Sequence, residues 1–209
     1  MEYRVVAENA LRTPSLRRRR VEAPLRHAAG VSLIELMVVI SIASMLLVMG
    51  VSSYKYVTNS NRVSTEINGL LGAMQYARSE AVREGQPVSV CPSAAGKTCD
   101  ALSTTWQKGW IIFTDLNGNG TTDAGDVVLQ VQAPFTSKDT LVPSDASVTA
   151  ITFNRDGFTT SIPPADAAAG VTFALNTNPV IAQWERCLNI GWVGVMATQR
   201  PDTSPATCK

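Results

Sequence analysis

The longest hydrophobic stretch reads GVSLIELMVVISIASMLLVMG, residues 30–50. From Leu36 to Val51 there is no charge, and only Ser41 and Ser44 are clearly polar. Counted from Val31, the apolar segment approaches the ~20 residues that a helix needs to cross a hydrocarbon core. No proline interrupts it. Glu35 is the anomaly, one turn inside the apolar start. A carboxylate at mid-membrane costs roughly 2.5–3.5 kcal/mol on insertion scales, so this one calls for a partner from outside its own segment.

After Tyr54, Lys55 and Tyr56 the pattern turns amphipathic. Ile67, Leu70, Leu71, Met74, Ala77 and Ala81 recur at spacings of three and four, with Arg62, Glu66, Glu80, Arg83 and Glu84 between them. That period predicts a helical packing face. Gly85 followed by Pro87 predicts its end. One helix of about fifty residues results. Its first half is a membrane anchor (31–54) and its second a packing face (55–86). Gly50, Gly69 and Gly72 weaken it locally, by roughly 1 kcal/mol each against Ala.

From Val88 the pattern is β-like. Runs at 88–91, 110–114 and 127–132 predict strands, the last two flanking a Gly/Asn/Asp-rich connection. Runs at 148–154 and 158–160 flank Arg155-Asp156-Gly157, a hairpin signal. Further strands are predicted at 171–175, 186–190 and 192–196, completing one antiparallel set. Pro163, Pro164 and the alanines after them read as a loop, and the tail 201–209 as turn-rich. One long helix followed by short strands is an α+β pattern, with the helix covering a sheet face. The β-rich head is expected to span 87–209. Residues 1–30 are Arg-rich and Pro-punctuated, with no apolar period and no fold expected.

Charge sharpens this division. The chain is +1 overall, but residues 1–30 hold seven Arg and three Glu, leaving 11 basic and 14 acidic residues after them, a net of −3. Arg17 to Arg20 precede the apolar segment. The positive-inside rule therefore puts the N-terminus in the cytoplasm and the head outside the inner membrane. No basic run follows the segment, which argues against a strong nonspecific grip on nucleic acid. The only histidine, His27, lies within residues 1–30. The rest thus lacks the commonest general base and metal ligand. No Gly-x-Ser-x-Gly elbow, phosphate loop or dinucleotide fingerprint is placed where a strand-to-helix turn could use it. No catalytic residue is assigned.

All four cysteines, Cys91, Cys99, Cys187 and Cys208, follow the apolar segment. Outside the inner membrane, pairing is favoured. Three connectivities are open to four cysteines. Cys91–Cys99 and Cys187–Cys208 each close a local loop and are the favoured pairs. DLNGNGTTDAGD, residues 115–126, fits a calcium-loop template. Oxygen ligands fall at positions one, three, five, nine and twelve (Asp115, Asn117, Asn119, Asp123 and Asp126), with Gly120 at the sixth. Asp at position twelve and strand-like flanks cut against an EF-hand. The alternative is a hairpin loop built of residues that tolerate positive φ. Structural calcium is the one cofactor candidate.

The N-terminal residues also carry a resemblance. A basic leader, then Gly30, then a short apolar run with Glu35 as the fifth residue after that glycine, then the rest of a membrane helix, resembles the class III signal of type IV pilins and type II secretion pseudopilins. The match implies cleavage after Gly30 by a prepilin peptidase and N-methylation of Val31. It also implies a Glu35 that pairs with the terminal amine of a neighbouring subunit. Val31 replaces the usual Phe, and the leader is long for the family. The stretch QYARSEAVREGQPVSVCPS, residues 75–93, is similar to the helix end and first strand of the GspH/FimT family of minor pilins and pseudopilins. The likeness covers most of 30–200.

The resemblance implies a pilin-like fold and a structural subunit that primes a type IV pilus. Its partners would be other pilins, the prepilin peptidase, the inner membrane and the assembly platform. A type II secretion pseudopilin is one alternative. A DNA-uptake receptor is another. Some FimT-branch members carry Gly-Arg-x-Arg near the C-terminus, but the matching Gly194-Val195-Met196-Ala197 has apolar residues at both arginine positions. Arg200 alone lies nearby, and Trp192 would serve as a stacking face only if exposed.

Overall fold

A computed structural model describes residues 30–100, 103–160 and 170–201. They fall into two units, one ending at Leu47 and the other beginning at Val48. The first unit holds the start of a single helix, α1 (Leu33–Glu84). That helix is long and apolar enough to cross a membrane, by length and composition.

Within the second unit, the amphipathic period of α1 is realised as burial. Val63, Ile67, Leu70, Met74, Ala77 and Ala81 are all buried on one stripe. The helix ends where Gly85 takes a positive φ of 70° and its N–H donates to Ala81 O. A left-handed residue at this point costs glycine nothing, which is why it stops helices.

Two four-stranded antiparallel sheets follow. The first has the order β3 (Val128–Gln132), β2 (Trp110–Thr114), β1 (Val88–Pro92), β5 (Ile151–Phe153). The second has the order β4 (Thr140–Pro143), β6 (Val171–Asn176), β7 (Arg186–Ile190), β8 (Met196–Gln199). Both contribute to one core with the α1 stripe, through Val88, Val90 and Phe153 from the first and Phe173, Leu175 and Leu188 from the second. Trp106, on a short 3₁₀ turn (Trp106–Lys108), packs edge-to-face on Phe173 at 4.8 Å.

The first sheet is buried on its other face as well, by Cys91, Ile111, Phe113 and Ala150. Burial on both faces explains why β2 reads as an unbroken apolar run, not as an alternation. Cys91 and Cys99 form a disulfide that folds the 92–99 loop against this face.

The architecture is α+β, a long helix packed on antiparallel sheets. It differs from the sequence reading in particulars. There are two sheets, not one set. The second half of the hairpin at 158–160 is not a strand; a single bridge, Phe153 to Thr159, takes its place. The last strand starts at Met196, because Gly191 to Gly194 make a turn closed by Gly194 N to Gly191 O. β4 has no counterpart in the sequence reading.

Candidate functional site

The N-terminal features lie together at the start of α1. Gly30, Val31 and Glu35 are all exposed, as is every residue from Val31 to Val48. Glu35 is the sole charged side chain in that run. It sits in the first helical turn, where the N-terminal end of the helix dipole favours negative charge. Among the described residues no cation pairs with it. Within the helix, the hydroxyls of Ser41 and Ser44 are satisfied locally: Ser41 Oγ donates to Met37 O at 2.7 Å, and Ser44 Oγ to Ile40 O. Glu35 is thus the one charge on this exposed apolar stretch, and it has no ion-pair partner among the described residues.

At the other end of α1, the Ala77-Arg78-Ser79-Glu80-Ala81 segment packs against the head. Ala77 and Ala81 are fully buried. Between them, Arg78 donates from Nε to Gly157 O at 3.0 Å and from Nη2 to Val193 O at 3.3 Å. One guanidinium thereby holds two turns of the head. Gly194 has φ 74°, and a Cβ there would strike Gly157 O and the Arg78 guanidinium. The residue that opens the sequence match to a DNA motif is therefore fixed by close packing. Beside the clamp lies a surface groove of about 700 Å³ lined by Arg78, Val82, Val195 and Met196. Trp192 is 47% exposed and stacks on Phe158 at 5.7 Å.

Arg200 is exposed and faces a second arginine. Burial, and after it the charge of Arg200, pushes the Arg186 guanidinium below its ordinary value. Arg186 itself is held by Gln183 O at 3.0 Å and Glu185 O at 2.7 Å. The two arginines are cross-strand neighbours beyond the Cys187–Gln199 pair of β7 and β8. Cys187 is fully buried, and its expected partner Cys208 lies outside the described residues.

The 115–126 loop gathers all five candidate oxygen ligands, but N–H groups engage its carboxylates. Asp115 is fully buried and accepts from Ser89 Oγ at 2.6 Å, Gly120 N at 2.7 Å and Asn119 N at 3.1 Å. Asp123 accepts from the side-chain amides of Asn117 and Asn119, at 2.9 and 2.7 Å, which hold its carboxyl below the usual range. Asp126 accepts from Leu116 N at 3.2 Å and Asp123 N at 2.8 Å. Among the described residues, no three His, Cys, Asp or Glu side chains converge as a metal set. The arrangement closes the loop on itself by hydrogen bonds.

A buried charge cluster joins α1 to the chain leading into β4. Arg62 Nη2 lies 2.9 Å from Asp139 Oδ2, and Ser137 Oγ donates to Glu66 Oε1 at 2.7 Å. Burial pushes the Glu66 carboxyl up to about 7.

Comparison with known proteins adds the family. Residues 66–194 match the family model described as type II transport protein GspH. Residues 25–51 match the prokaryotic N-terminal methylation motif. No curated protein matches the chain. Two crystal structures of the type IV minor pilin FimU from Pseudomonas aeruginosa (strain PAO1) are similar to it. One is 26% identical, with a TM-score of 0.46 over 65% of this chain and 91% of that one. The other is 24% identical, with a TM-score of 0.45 over 66% and 90%.

Proposed function

The chain belongs to the GspH family of minor pilins and pseudopilins, and on that premise we propose that it is a minor subunit of a type IV pilus that helps to prime filament assembly. Subunits of this family are structural and not enzymes. The methylation motif and the apolar helix are consistent with a prepilin anchored in the inner membrane before assembly. In the proposed cycle, residues 31–54 span that membrane and the head stands in the periplasm. A prepilin peptidase cuts after Gly30 and methylates Val31.

The observation that carries the filament reading is Glu35, the lone charge in an exposed apolar helix start. In lipid, that carboxylate is costly and has no partner of its own. In a bundle of like helices, the amine of a neighbour's Val31 can neutralise it. Breaking such a pair strands a buried charge, so assembly is favoured only when both partners are present. Apolar side chains of the helices then replace lipid with one another, and the heads form the outer surface. The membrane helix needs no other polar feature for this.

The description of the matched family favours a second reading, a pseudopilin of a type II secretion system. It uses the same signal, helix and head. A clean in-frame deletion separates the two. Lost twitching with intact exoprotein secretion, restored by complementation, supports the pilus. Normal twitching with lost secretion moves the subunit to the pseudopilus.

A further inference from the structure

Arg62, Glu66, Ser137 and Asp139 form a compact polar knot where the amphipathic half of α1 meets the β3–β4 connection. The side chain of Asp139 is wholly buried. Ionic and amide donors engage it: Arg62 Nη2 at 2.9 Å, Arg62 Nε at 3.1 Å and the Asn178 N–H at 2.9 Å. Glu66 is treated differently. Its side chain is 9% exposed, its Oε1 accepts from Ser137, and Arg62 lies 4.0 Å away. Its Oε2 is buried and has no donor.

Two carboxylates thus share one guanidinium, which the geometry commits mainly to Asp139. One negative charge is left over. A buried, uncompensated carboxylate is costly, and the ordinary resolution is to take up a proton. We propose that Glu66 and Asp139 form a proton-operated latch: a proton held on Glu66 Oε2 is donated as a hydrogen bond to the Asp139 carboxylate and fastens the β3–β4 connection to α1. When the proton leaves to solvent, two like charges face each other and the latch loosens.

The groups facing Glu66 are Arg62 from α1, and Ser137 and Asp139 from the β3–β4 connection. Burial is the largest influence on its carboxyl, and the charge of Asp139 adds to it. The hydroxyl of Ser137 and the charge of Arg62 act the other way. The outcome is a carboxyl raised from 4.5 to about 7. Between those values the folded chain holds a proton that the unfolded chain does not. The latch therefore contributes fully below 4.5, and its contribution is lost as pH rises through about 7. A cavity of about 420 Å³, lined in part by Glu66, Trp110 and Phe135, lies beside the knot.

The proposal is independent of which filament the subunit joins, and it is tested on the full chain in detergent micelles. Carboxyl-labelled glutamate is titrated by NMR from about pH 5 to about pH 9, and hydrogen-exchange protection is followed over the same range. Protection factors, which divide out the intrinsic pH dependence of exchange, are read at the amides of Asp139 and Asn178, with Ile112 as a core reference. One carboxyl is expected to titrate near 7, assigned to Glu66 by its disappearance in Glu66→Gln. Protection at Asp139 and Asn178 should fall roughly tenfold as pH rises through that value, with Ile112 unmoved. In Glu66→Gln, the amide donates to Asp139 without titrating, so protection should stay high throughout. If Glu66 titrates near 4.5, or Glu66→Gln keeps the pH response of the parent chain, the latch does not exist. Should the variant fail to fold, the titration of the parent chain still decides.

Discussion

Asp115 shows how one residue can look like a ligand and act as a keystone. Its carboxylate is buried under β1 and β2 and accepts from Ser89, Asn119 and Gly120. Removing it leaves the Gly120 N–H without that acceptor, while the buried Ser89 hydroxyl keeps Thr152 Oγ1 at 2.7 Å and Asn119 N keeps Asn117 Oδ1 at 3.1 Å. Asp115→Ala is expected to cost about 2 kcal/mol, since one unsatisfied buried group costs roughly 1–3 and the other two donors keep a partner. Urea unfolding of the chain would measure it. Arg78 acts in the same way on the other side of the head, and Arg78→Ala should cost about 2 kcal/mol for two charge-assisted hydrogen bonds. A variant indistinguishable from the parent would mean that the clamp is ornamental. The two residues differed in legibility. Asp115 stood out through its spacing to Asn117, Asn119 and Gly120. Arg78 did not, because its partners are backbone carbonyls 79 and 115 residues away, and no sequence period reports those.

The elements were legible where burial is one-sided or complete. The three- and four-residue spacing from Ile67 to Ala81 became the buried stripe of α1, and the run WIIFT became β2 with the expected bounds. β4 was not legible. It is four residues long, ends in Pro143 and is followed by polar turns, so it carries no alternation of its own. Its place comes from pairing with β6, from Thr140 opposite Asn176 to Pro143 opposite Phe173. The 158–160 run failed for a related reason. Asn154 Oδ1 accepts from both Asp156 N and Phe158 N, which winds the chain into a tight turn and leaves room for one bridge only. α1 itself offers a test of propensity. A methyl group added at Gly72 meets no neighbour within 4 Å. Gly72→Ala should therefore stabilise the head by about 0.5–1 kcal/mol, visible as a raised urea midpoint with an unchanged slope. For the Cys91–Cys99 loop, Cys91→Ser with Cys99→Ser should cost about 2–3 kcal/mol, as expected for a short closed loop.

For the whole molecule, the predictions concern the precursor and the filament. Gly30→Ala, or a bulkier residue there, is expected to block maturation, leaving the chain at precursor size on a blot. Glu35→Ala should mature normally but assemble poorly, because the neighbouring amine then has no carboxylate. Wild-type filaments in that strain would remove the basis for the proposed pairing. The N-terminal motif was legible because Gly30 and Glu35 are read in one dimension, by spacing along the chain. The knot of Glu66 and Asp139 was not, since its members lie 73 positions apart in sequence and meet only after folding.

Every buried apolar residue of the described chain lies at or after Val63, and the second unit begins at Val48. On the filament reading proposed above, the passage that enters the helix bundle and the passage that builds the core of the head are therefore separate stretches of the chain, like an address and a letter. Grafting the first passage of a different pilin onto this head should redirect the head to another fibre without refolding it, and selection can edit either passage while leaving the other intact.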